Sequence, residues 1–161
     1  MIRVFRISTS TALVLVTAFL FQAPFCVAQT QKTSAGSGDD DAPLFHEYRS
    51  VKIGMTTEEV RKKLNNPSDK SDEQDFFIFS DNESAQVFYD KSQKVFAISV
   101  NFLNGARDLP TAKAIFGSDI TPKPDGSMYK MVRYPKAGCW VSFSRTAGDS
   151  PLTTVTLQKI D

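Results

Sequence analysis

A short, capped helix signal followed by three strand signals occurs twice along this chain, and that order limits its possible folds more than any single motif does. The first copy opens on residues 53–67, IGMTTEEVRKKLNNP. Thr56 stands where a hydroxyl caps a helix, and Glu59, three residues on, can reach back to it as a capping box. Met55 and Val60 are spaced as a hydrophobic staple, Val60 and Leu64 form an apolar stripe, and Asn-Asn-Pro stops the turn. Strands are predicted over 75–80, 85–90 and 94–103, with turn chemistry at 81–84 and 91–93. The second copy opens on 108–117, DLPTAKAIFG, read as a helix with Asp108 as cap, Pro110 early and Gly117 as stop. Strands follow over 128–134, 138–144 and 152–160.

Thr57 and Thr111 are 54 residues apart, and so are the stretches 85–89 and 139–143. Order and spacing together predict an α+β fold: two tandem helix–β–β–β repeats, about 52–103 and about 108–160, forming a mostly antiparallel sheet with helices on one face. The alternative is one irregular α+β domain without internal repetition. Alternation along 94–103 assigns Phe96, Ile98, Val100 and Phe102 to the core and Ala97, Ser99 and Asn101 to an open face. Upstream, Leu44, Tyr48 and Val51 fall at i, i+4 and i+7, which predicts a short amphipathic helix over 43–51.

The N-terminus carries Arg3 and Arg6, an apolar run from Ala12 to Phe21, and Cys26-Val-Ala28 with small residues at −3 and −1. That pattern predicts an export signal over 1–28 with cleavage near Ala28, too short in its apolar part to remain as a membrane anchor. Lipid attachment at Cys26 is the competing outcome, although Phe25 precedes it where lipoprotein signals carry a small residue. Residues 29–42, QTQKTSAGSGDDDA, hold no large apolar side chain and read as a disordered linker, leaving 43–161 as one α+β domain. The three aspartates lack the spaced oxygens and turn glycine of a calcium loop and read as a solvated charge run.

Cleavage would leave 133 residues with 17 basic against 18 acidic side chains. A near-neutral chain without clustered Lys and Arg offers nothing to phosphate, so no nucleic-acid partner is expected, nor any integral membrane span in the mature chain. The location expected is periplasmic or secreted. Cys139 would be the sole remaining cysteine, so stability must come from the core.

The 53–67 stretch resembles the helix signature of the small outer-membrane-assembly lipoproteins of BamE/SmpA type, where Gly-Met-Thr-x-x-x-Val leads into Leu-Gly-x-Pro. Gly54, Met55, Thr56, Val60, Leu64 and Pro67 match, and Asn65 stands where that family has glycine. The tandem arrangement is similar to that of secreted β-lactamase-inhibitor proteins, which carry two such units and bind with the open face of the sheet. The resemblance implies an exported module that works by protein contact and has no chemistry of its own.

The catalytic inventory is thin. His46 is the only histidine, which removes most nucleophilic triads and zinc sites, and it has no partner acid at useful spacing. No catalytic residue, metal ligand set or cofactor is expected, and the protein is read as a non-enzyme. Cys139 alternates in phase with Val141 and Phe143 and is expected in the core. Asp72, Glu73 and Asp75 sit in a polar stretch beside Lys70 and are expected to form a solvated loop.

Aromatic residues are the better lead. The 76–79 run, Phe-Phe-Ile-Phe, is apolar on both faces, and Trp140 alternates against Cys139. Trp140, Phe88, Tyr129, Phe76 and Ile78 are therefore the candidate binding residues, on the open sheet face, for an unidentified protein. The other outcome is that the N-terminal segment or a long loop folds over them. Two further functions stay open: a cell-envelope assembly factor, or a small ligand-binding domain with a pocket between the repeats.

Overall fold

The computed structural model describes residues 42–160. The predicted export signal (1–28) and all but the last residue of the predicted linker (29–42) lie outside the described residues. The elements run α1 (Thr57–Leu64), β1 (Asp69–Lys70), β2 (Gln74–Ser80), β3 (Glu83–Tyr89), β4 (Val95–Phe102), α2 (Ala112–Phe116), β5 (Met128–Tyr134), β6 (Cys139–Arg145) and β7 (Thr153–Lys159). The strands form one seven-stranded sheet in the order β1-β2-β3-β4-β7-β6-β5, antiparallel at every neighbour. Strand β7 thus lies beside β4 in the middle of the sheet, and the β4–β7 junction has the meander β2-β3-β4 on one side and β7-β6-β5 on the other.

Alternation explains the packing. Phe77 on β2, Ala85, Val87 and Tyr89 on β3, Ile98, Val100 and Phe102 on β4, Val155 and Leu157 on β7, and Val141 and Phe143 on β6 all lie in one buried cluster. Val60 and Leu64 of α1 and Ala112 and Ile115 of α2 belong to the same cluster. Cys139 is buried there as well, and burial pushes its thiol above the ordinary range.

Helix α1 starts as its capping residues dictate. The Thr56 hydroxyl accepts from the Glu59 N–H at 3.3 Å, and the Glu59 carboxylate accepts from the Thr56 N–H at 2.8 Å. The Thr56 N–H and then the Thr56 hydroxyl, both bonded to that carboxylate, hold the Glu59 carboxyl below its ordinary pKa. The second helix is shorter than predicted and capped elsewhere. Thr111 is the cap, accepting from the Ala114 N–H at 3.1 Å, and Asp108 lies outside the helix. Pro110 is the reason: it drives the preceding Leu109 away from helical torsions, so no helix can run through from 108. Gly117 ends α2 in the left-handed region that its missing side chain permits.

Two sequence expectations are corrected here. Residues 43–51 form no helix. Arg49 and Ser50, both at positive φ, close a minimal hairpin in which Tyr48 and Val51 exchange N–H···O bonds of 3.0 and 2.8 Å. The i, i+4, i+7 spacing matched a helix by coincidence; Tyr48 and Val51 are both buried because a two-residue turn returns them to the same side. Phe96 also leaves its assigned place. Phe88 pairs with Ala97 but Tyr89 pairs with Val95, so Phe96 is the extra residue of a β-bulge. The bulge shifts the phase, puts Val95 in the buried cluster and sets the Phe96 ring 6.1 Å from Phe88.

Candidate functional site

Opposite the buried cluster the sheet presents three rows of side chains, each fixed by the strand register. The first runs Gln74, Phe88, Ala97, Gln158, Trp140, Arg133 from β2 to β5. The second runs Phe76, Gln86, Ser99, Thr156, Ser142, Met131, and the third Ile78, Ser84, Asn101, Thr154, Ser144, Tyr129. The middle strands supply hydroxyls and amides. Ser99 and Thr156 are hydrogen-bonded across β4 and β7 at 3.2 Å, and Thr154 donates to Asn101 Oδ1 at 2.8 Å. The periphery supplies rings and aliphatics: Phe76 and Ile78 at the β2 edge, Tyr129 and Met131 at the β5 edge, Phe88 and Trp140 within the first row.

Each candidate residue has a definite place. Trp140, Phe88 and Phe76 are half-buried, while Ile78 is 59% and Tyr129 56% exposed. Phe88 and Trp140 share a row, three strand steps apart, roughly 14 Å at 4.8 Å per step. Ile78 and Tyr129 share a row but stand at opposite edges, roughly 24 Å apart by the same spacing, so one small ligand cannot touch both. Ala97, on this face by register, is only 3% exposed although it is absent from the buried cluster.

At the β2 end of the first row the surface falls into a groove of about 560 Å³ lined by Asp72, Glu73, Gln74, Phe88, Asp90 and Phe96, among others. Its walls are fixed by backbone bonds. The Tyr89 N–H donates to the Glu73 carbonyl at 2.8 Å, and the Ser71 hydroxyl accepts from the N–H groups of Glu73 and Gln74 at 3.2 and 3.0 Å. The 90–94 turn is clasped through Gln93, whose side-chain amide donates to the Asp72 carbonyl at 3.0 Å and whose backbone carbonyl accepts from the Thr57 N–H at 3.1 Å.

Beneath this groove lies a charge that the sequence reading misplaced. Asp75 is no part of a solvated loop: it is wholly buried on β2, in phase with Phe77. Arg61 of α1 grips it with two bonds, Nε to Oδ2 at 2.9 Å and Nη2 to Oδ1 at 2.8 Å, and the Tyr89 hydroxyl donates to Oδ2 at 2.8 Å. Burial, and then this bond to Asp75, drives the Tyr89 phenol far above its ordinary pKa. A second such group joins Tyr48, Arg49 and Glu83: the Tyr48 hydroxyl donates to Glu83, and Arg49 donates to both. Arg49 also lies 4.2 Å over the Phe79 ring. Alternation carried the missing signal for Asp75, since an acid two and four residues before Phe77 and Phe79 must find a buried cation.

The remaining titratable candidates are unremarkable in place. His46 is exposed, its ring 3.2 Å from the Leu44 carbonyl oxygen. Among the described residues no three of His, Cys, Asp and Glu come together as a metal could use them, and no helix is long and apolar enough to cross a membrane.

Fold and surface together define an α+β protein with a single antiparallel sheet and a hydroxyl-rich face bordered by aromatic residues. No family model and no curated protein matches the chain. Among solved structures it is similar to a DUF4309 family protein (YjgB) from Bacillus subtilis, at 12% identity and a TM-score of 0.47, over 70% of this chain and 84% of that one.

Proposed function

We propose that the protein is an exported, non-catalytic module that contacts another protein through the sheet face opposite the buried cluster. On this reading residues 1–28 direct export, the mature domain is soluble in the periplasm or outside the cell, and the fold is two tandem helix–β–β–β units with both helices layered on one face. Supporting the repeat, the sheet order places β2-β3-β4 and β7-β6-β5 as mirrored meanders about the β4–β7 junction.

The observation that carries the contact role is the first row with its neighbours. Phe88, Phe96 and Trp140 stand on a face whose central side chains are short and polar, with exposed Ile78 and Tyr129 further out. Wide spacing of apolar anchors around a hydrogen-bonding centre suits a macromolecular partner better than a small molecule, because anchors roughly 24 Å apart need a broad opposing surface. Trp and Tyr at such positions commonly dominate binding energy. Trp140→Ala and Tyr129→Ser, each retaining a cooperative thermal melt, are expected to abolish co-purification of a partner from the exported fraction. An unchanged set of co-purifying proteins with both variants contradicts the proposal.

A small-ligand role draws on one observation, a hollow of about 440 Å³ between the two halves, lined by Leu44, Tyr48, Arg49, Phe102, Pro110 and Ile115 among others. Its size falls in the range of ligand pockets. Tyr48 and Arg49, however, are already engaged with Glu83, which leaves fewer polar groups to orient a ligand.

A further inference from the structure

We infer that the groove at the β2 end of this face takes a basic segment of the partner, seating an arginine or lysine side chain on Phe88 and Phe96 with its charge between Asp72 and Glu73. The inference rests on the protein-contact reading above and specifies what the partner presents. Shape, charge and rigidity each argue for it.

The groove has an apolar floor. Phe88 and Phe96 meet at 6.1 Å with their planes tilted by 50°, so two ring surfaces, not one, face the space. The bulge at Phe96 exists at this one point of β4 and brings the second ring there. Its rim is anionic. Asp72, Glu73 and Asp90 line the groove against a single cation, Lys91. Among the ion pairs of the described residues none involves Asp72, Glu73 or Asp90; the pairs are Arg49–Glu83, Lys52–Glu47 and Arg61–Asp75. The Asp90 carboxylate accepts from the N–H groups of Ser92 and Lys94 and so shapes the turn, and Asp72 and Glu73, both exposed, are the other carboxylates that line the groove. An apolar stem ending in a cation satisfies both surfaces at once: methylenes and guanidinium cover the rings while the acids neutralise the charge. Arginine is favoured over lysine because its planar head stacks on a ring as it pairs with a carboxylate. The Gln93 clasp and the Tyr89–Glu73 bond hold both walls in place beforehand, so little ordering is needed on binding.

The chemistry is tested with a fluorescein-labelled hexa-arginine peptide, with hexa-lysine and a neutral serine–glycine peptide as comparisons, by anisotropy and by amide shifts of the isotope-labelled protein. The expected result is a set of shifts confined to residues 72–74, 88–91 and 96, with hexa-arginine bound most tightly and the neutral peptide not at all. Asp72→Asn with Glu73→Gln should raise the dissociation constant at least about threefold and flatten its dependence on salt, as loss of exposed ion pairs predicts. Phe88→Leu, which keeps the bulk and removes the ring, should weaken hexa-arginine more than hexa-lysine. Shifts scattered over the molecule, or an affinity unchanged by the charge variants, overturn the inference. Partner co-purification then separates the two levels. Loss with Trp140→Ala but not with the Asp72→Asn, Glu73→Gln protein overturns the groove and leaves the contact face standing, while indifference to both overturns both.

Discussion

Asp75 shows how much one buried charge can organise. Its carboxylate is reached by the Arg61 guanidinium from α1 and by the Tyr89 hydroxyl from β3, so a helix and two adjacent strands converge on one group. Removing a partner from such a pair costs more than the pair contributes, because the remaining charge stays buried. Arg61→Ala is expected to destabilise the domain by about 2–4 kcal/mol in urea unfolding, toward the lower end because water reaches the outer side of the guanidinium. Arg61→Lys should recover part of the loss, since it restores the charge and one of the two bonds. Equal loss in both variants would show that the paired Nε and Nη2 bonds to Asp75, and neither the stem nor the charge alone, carry the contribution. At this scale the sequence was half legible. Cys139 and Trp140 fall on opposite faces as their alternation requires, whereas Asp75 reads as loop because it neighbours Asp72 and Glu73 in a polar run. Its alternation with Phe77, taken together with a partner on α1 fourteen residues earlier, reveals its place.

Among the elements, those with strong local chemistry follow their sequences closely. Helix α1 has the capping box at Thr56 and Glu59, and β5 covers the residues that alternation assigns to it. Elements whose ends depend on one torsion do not. The 43–51 segment turns on Arg49 and Ser50 at positive φ, and α2 begins only after Pro110. No periodicity encodes either event. The bulge at Phe96 belongs to the same class: one inserted residue changes which face a ring occupies, and alternation alone cannot anticipate it. The end of α1 offers a measurable case. Asn65 is held at φ 67°, ψ −160°, a region open almost only to glycine. Asn65→Gly is therefore expected to stabilise the domain by about 0.5–1 kcal/mol, and Asn65→Val to destabilise it, both read from the urea midpoint. A neutral Asn65→Gly change would mean that the asparagine side chain offsets the strain.

For the molecule as a whole, the order of the longer elements was the legible part: a helix and three strands, a second helix and three more, in a mostly antiparallel sheet. The brief β1 pairing with Phe76 and Asp75 was not legible, since two residues carry no period. Nor does the sequence show which strands adjoin. That the sixth full-length strand returns to the centre is set by the buried faces of β4 and β7, where Ile98 meets Leu157 and Val100 meets Val155, all almost wholly buried. A chain stopped after residue 148 retains β1 to β6 but loses Thr153, Val155 and Leu157 from the sealed interior. It is expected to show no cooperative thermal transition by circular dichroism, whereas a sharp melt would mean that the first meander folds without help.

This placement of β7 bears on how the molecule comes into being. Among the described strands β7 comes last in sequence yet fills the place between β4 and β6, so neither of those strands has its inner neighbour until residues 153–159 have been made. A nascent polypeptide of this design keeps the inner edges of β4 and β6 unpaired, and therefore threadable, until that stretch has emerged. On the export proposed above, such lateness would serve as a timer written into strand order.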